Sequence, residues 1–144
     1  MSFYDSASAK SLWRGMDIYQ QKKVLFCYDL GKGEYEGQVK GSQGGETYDV
    51  HIILKKPKTS TCTCPFAHER FVVCKHMVGL YFTAFPEEVD HLLEEAKREE
   101  QRQEKEYQQH LKEIRSYVNS LKKAELQQQL YEALMELAQR DTYW

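Results

Sequence analysis

The stretch TSTCTCPFAHERFVVCKHMVG, residues 59–79, places Cys62, Cys64, Cys74 and His76 within fifteen positions. The pattern is Cys-x-Cys, a spacer of nine residues, then Cys-x-His. Three thiolates and an imidazole are the donors that zinc prefers, and four of them complete a tetrahedral shell. Two ligands one residue apart can reach one ion when the backbone turns sharply between and after them, and Pro65 helps by fixing its own φ. Cys74 and His76 precede the apolar run MVGLYFTAF (77–85), which reads as a buried helix. Its positive N-terminal end would favour thiolates. Lys75 would offset part of the negative charge of a three-thiolate site. A disulfide between Cys62 and Cys64 would close too tight a ring, so the spacing points to one closed Cys3His zinc site.

The rest of the composition suits a binding protein with an exposed helical part. The chain has 144 residues, 41% hydrophobic and 29% charged, with a net charge of -2. That balance argues against coating nucleic acid through bulk charge. The charge is uneven: residues 1–60 carry nine Lys/Arg against seven Asp/Glu, whereas 91–144 carry nine against eleven. An anion-binding surface is therefore expected in the first half. The opening MSFYDSASAKSLWRG lacks the apolar core of a secretory signal, and MVGLYFTAF is too short to span a bilayer. The expected setting is the cytoplasm, where thiols stay reduced and clustered cysteines bind metal, with no membrane partner.

Working outward from the cysteines, three strands are expected before them. KVLFCYD (23–29) is rich in β-branched and aromatic residues. EYEGQVK (34–40) alternates Tyr35, Gly37 and Val39 with polar positions, and ETYDVHIILK (46–55) places Tyr48, Val50, Ile52 and Leu54 on one face. DSASAKSLWRG (5–15) reads as a short helix capped by Asp5 or Ser6 and ended by Gly15. After Phe85-Pro86 a long helix begins. Its stripe runs through Val89, Leu93 and Ala96 and resumes at Tyr107, Leu111, Ile114, Val118 and Leu121. Between them KREEQRQEKE (97–106) is polar all round, and its Glu–Lys/Arg pairs at helical spacing favour a solvated rod. A second helix from near Ser120 carries Leu126, Leu130, Leu134 and Leu137, so the two read as a hairpin. The expected fold is α+β: a small three-stranded antiparallel sheet, a closed zinc site and a packed helix, plus a C-terminal helical hairpin. The expected segments are a lead-in over 1–22, the finger domain over 23–85 with its core at about 48–85, and a helical extension over 86–144.

Cys-x-Cys-Pro, a spacer and Cys-Lys-His followed by an apolar helix resemble the SWIM zinc finger. WRGMDIY (13–19) and GQVKGSQGGETYDVHI (37–52) extend the likeness to bacterial SWIM-domain proteins over residues 13 to about 85. The resemblance implies that Cys62, Cys64, Cys74 and His76 hold one structural zinc. It further implies partners that are nucleic acid or protein, in bacterial members often alongside helicase-like ATPases.

Other residues read more plainly. His68, in FAHERF (66–71), is the one rival ligand and reads first as a loop histidine. His51 reads as a polar-face strand residue, His91 and His110 as solvated, and Cys27 as a packed thiol. Catalysis is not expected: four donors close the site, and no carboxylate stands beside them as a base. No small-molecule substrate is implied. Lys55, Lys56, Lys58 and Lys75 flank the two ligand pairs and are the expected nucleic-acid contacts, joined by Arg14, Lys22, Lys23 and Lys40 in a basic patch. Tyr28, Tyr48 and Phe66 are aromatics available to stack bases. DNA is expected before RNA. The alternative is a protein-interaction adaptor, because a two-helix extension has little core of its own and must cover its stripes on the finger, on a second copy or on a partner.

Overall fold

A computed structural model describes residues 2–142, leaving Met1, Tyr143 and Trp144 at the expected segment ends outside the description. It divides after Glu94. The first unit holds α1 (Ala9–Gln20), β1 (Val24–Gly31), β2 (Glu34–Lys40), β3 (Thr47–Ile53), β4 (Thr61–Cys62), α2 (Lys75–Ala84) and the opening turns of α3 (Pro86–Ser120). The second holds the remainder of α3 and α4 (Lys123–Thr142).

The sheet is antiparallel in the order β1-β2-β3-β4, with four strands and not the three expected. The fourth has two residues, too few for alternation to show in a sequence. A short helical turn at Pro57–Thr59 reverses the chain so that Thr61 pairs with His51 and Cys62 with Val50. Hydroxyls fasten this reversal: Ile53 N–H donates to Ser60 Oγ at 2.9 Å and Asp49 N–H to Thr63 Oγ1 at 3.0 Å.

Alternation along β2 and β3 sends Val39, Val50 and Ile52 inward, each at most 2% exposed. Against them lies α2, whose residues from His76 to Phe82 are all buried. Such a helix has no solvent face because the sheet covers one side and α1 the other. The two helices approach closely enough to require glycine at both crossing points. A Cβ on Gly15 would stand 2.4 Å from Val78 Cβ, and one on Gly79 would stand 2.6 Å from Ile18 Cγ2. Gly15 therefore sits inside α1 and does not end it, and the cap is Ser8, whose side chain accepts from Ser11 N–H at 3.1 Å. Residues 3–20 belong to the core through Phe3, Met16 and Ile18, and Phe3 stacks on Tyr81 at 5.2 Å.

In the second unit the polar stretch 97–106 is helical, and Arg102 bridges Glu99 and Glu106. The expected hairpin is not formed as a packed pair. Leu111, Ile114, Val118, Leu126, Leu130 and Leu134 stand 36–60% exposed, so neither helix covers the stripe of the other. Among the described residues no helix is long and apolar enough to cross a membrane.

The helix crossing generates an expectation. Gly15→Leu should lower the stability of the first unit by about 1–3 kcal/mol, the usual range for overpacking. Ser42→Ala in the exposed β2–β3 turn should stay within about 0.5 kcal/mol. Chemical denaturation followed by circular dichroism measures both. Equal stability of the two variants would show that α1 does not meet α2 at Gly15.

Candidate metal centre

Three separate pieces of chain bring the four donors together. Cys62 ends β4, where pairing with Val50 turns its side chain to the buried face. Cys64 follows two residues later, at the start of a turn in which the Ala67 and His68 N–H groups both donate to the Cys64 carbonyl, at 3.2 and 2.9 Å. Cys74 caps α2 and His76 lies in its first turn. An isolated bridge between Ala7 and Val73 holds the chain just ahead of Cys74 against the start of α1.

The donor atoms of Cys62, Cys64, Cys74 and His76 all lie within 4.8 Å of one another, and all four residues are buried. His76 Nδ1 is 3.8 Å from Cys62 Sγ and 3.9 Å from Cys74 Sγ. A tetrahedral zinc with ordinary bond lengths spaces sulfur and nitrogen about 3.6 Å apart. These two separations fall within a few tenths of an ångström of a zinc shell, and no pair of the four donors is more than 4.8 Å apart. The Tyr48 ring packs on His76 with centroids 4.7 Å apart, fixing the imidazole plane.

The electrostatics point the same way. Taken as thiols and thiolates alone, the three sulfurs share protons unequally. The hydrogen bond to Cys64 pushes Cys62 far above the usual thiol range. Cys64, bonded by Cys62 and then Cys74, is held far below it. At Cys74 the bond to Cys62 acts downward, but Cys64 and burial outweigh it and the thiol is pushed up to about 11. Backbone N–H groups of Cys64, Ala67 and Met77 favour the thiolates of Cys62, Cys64 and Cys74 respectively. Three buried thiolates repel one another unless a cation lies between them, and a divalent ion removes that conflict.

Residues 48–85 match the family model of the SWIM zinc finger. The segment is a SWIM zinc finger. No curated protein and no solved structure matches the chain. The matched segment spans β3, β4, the ligand loop and all of α2. Together with the buried Cys3His cluster it gives the finger one structural zinc, held by Cys62, Cys64, Cys74 and His76.

The other residues singled out in the sequence fall elsewhere. His68 is exposed beside Glu69 at 3.7 Å and is not in the cluster. His51 sits on the outer sheet face 3.8 Å from Glu34. Cys27 is half-buried in β1, its thiol raised by burial and by Asp29. Lys55, Lys56 and Lys58 are exposed in the β3–β4 connection. Lys75 is half-buried at the first position of α2 and lines a cavity with Arg14 and with Lys10. Lys10 escaped notice in the sequence because its place beside the finger depends on the Ala7–Val73 bridge. Its spacing of four from Arg14 on α1 was the available signal. Of the aromatics, Tyr28 and Phe66 are exposed, whereas Tyr48 is committed to His76.

Elemental analysis of the purified protein should give about one zinc per chain. Cys74→Ser or His76→Ala should lose the zinc and unfold residues 60–85, because the binding energy of a structural zinc, on the order of 10 kcal/mol, is folding energy. His68→Ala should keep its zinc. Zinc loss from His68→Ala and retention by His76→Ala would assign the fourth ligand differently.

Proposed function

We propose that the finger binds nucleic acid, DNA before RNA, and that the chain is not an enzyme. Four protein donors leave zinc no position for water or substrate, which supports a holding role for the metal. The observation that carries the reading is the run Lys55, Lys56 and Lys58. Three cations within four residues stand exposed on the connection that leads into the first ligand pair. Among the described residues none of them has a carboxylate partner. Unpaired lysines held on a short, fixed connection are suited to phosphates, which they contact without reading base sequence.

Few contacts mean weak, salt-sensitive binding. Titration of labelled duplex DNA, single-stranded DNA and RNA should give affinity that falls with salt with a log–log slope of about -2 to -4, from roughly 0.9 per phosphate contact on duplex DNA. Changing Lys55, Lys56 and Lys58 together to Glu should abolish binding and leave the zinc content at one. Absence of binding by all three nucleic acids at low salt would overturn the reading.

A second reading has its own support in the second unit. The exposed stripes of α3 and α4 suit a helical protein partner, which makes the chain an adaptor. In that case a captured partner is lost when Leu111, Ile114, Leu130 or Leu134 becomes polar, and the lysine variant leaves the capture intact.

A further inference from the structure

Beside the zinc lies a cavity of about 320 Å³, at the small end of ligand-binding cavities. Lys10 and Arg14 line it from α1, Lys75 from the first turn of α2, and Phe66 from the ligand loop. Its lining also includes the ligands Cys64, Cys74 and His76 and no carboxylate.

The plain account of these cations is that they neutralise the zinc centre. The charges do not balance that way. Two positive charges on zinc against three thiolates leave one negative, and three cations face it. Two positive charges are left over, in a chain whose net charge is -2. Among the described residues none of the three is ion-paired. The larger cavity, about 560 Å³ on the outer sheet face, has the opposite character: Glu36, Asp49 and Glu69 line it with Arg70. Of the two, the cavity beside the zinc is the one lined by cations without carboxylates.

Phe66 adds a second element. Phe66 is 50% exposed although its neighbours Cys64 and Ala67 are buried. The Arg70 guanidinium lies 5.0 Å from the ring centroid, and Arg70 Nη1 donates to the Phe66 carbonyl at 3.2 Å. Arg70 thus pins the ring from one side, and the ring still borders the cavity. A ring fixed beside a cationic pocket is the arrangement that takes a base and its adjoining phosphate together. Bases inside a duplex are stacked on one another and cannot lie on such a ring.

We propose that this cavity is a single-strand nucleic-acid subsite, in which Lys10, Arg14 and Lys75 hold one phosphate and Phe66 stacks the neighbouring base. The proposal rests on the nucleic-acid reading above and adds to it the strand type and the contact residues.

The test is fluorescence anisotropy of the full-length zinc protein with a labelled oligothymidylate of about ten nucleotides, within the length one such module covers. Phe66→Ala should weaken binding about 5- to 150-fold, the range for loss of one base stack, and Phe66→Tyr should restore it. Lys10→Gln with Arg14→Gln should lower the salt slope by about 0.7, the value for one phosphate contact on a single strand. Zinc content measured on each variant separates loss of contact from loss of fold. Unchanged oligothymidylate binding in these variants, with loss in the Lys55, Lys56 and Lys58 variant, would overturn the subsite and leave the nucleic-acid reading standing. Duplex DNA binding that depends equally on Phe66 would overturn the single-strand assignment. Competition by inorganic phosphate or a phosphoserine peptide as strong as by unlabelled oligothymidylate would overturn the nucleic-acid occupant. Absence of binding by any nucleic acid would remove both proposals.

Discussion

Four donor atoms within 4.8 Å of one another tie the end of β4 to the start of α2, and most of the first unit depends on that tie. β4 has two residues and two pairings, too little to hold itself to the sheet. The loop from Pro65 to Val73 has no strand or helix of its own. Burying three thiolates there is unfavourable without a cation. With zinc the same groups become the anchor, and the anchor is of the same order as the whole stability of a small domain, about 10 against 5–15 kcal/mol.

From the anchor the packing follows. His76 fixes the first turn of α2, and Tyr48 backs the imidazole from β3. α2 then runs between the sheet and α1 with every residue from His76 to Phe82 buried. Gly15 and Gly79 let the two helices meet, and their contact carries Lys10 and Arg14 to the side of the zinc where Lys75 emerges. The basic cavity is thus a product of the fold and not of any local run of basic residues.

How much of this could be read beforehand depends on how local the signal is. The ligand set was legible because Cys and His are scarce and their spacing is short. β2 and β3 were legible because Tyr35, Val39, Val50 and Ile52 alternate over enough positions for the period of two to show. The fourth strand was not, because two residues make no period. The length of α1 was misjudged because Gly15 carries a stop signal in sequence and a packing role in space. The helix pair of the extension was legible, but its packing was not. Stripes such as Leu111, Ile114 and Val118 announce a contact without naming its other side. Lys10 was hidden for the same reason: only the bridge from Ala7 to Val73 shows what it faces.

The central claim is that one zinc, held by Cys62, Cys64, Cys74 and His76, keeps α2 in place. Amide hydrogen exchange along α2, with zinc bound and after removal by a chelator, tests it most directly. The account predicts strong protection of the amides from Met77 to Phe82 with zinc and its loss without. Equal protection of those amides in both states would contradict it, since the hydrophobic core alone would then hold the helix.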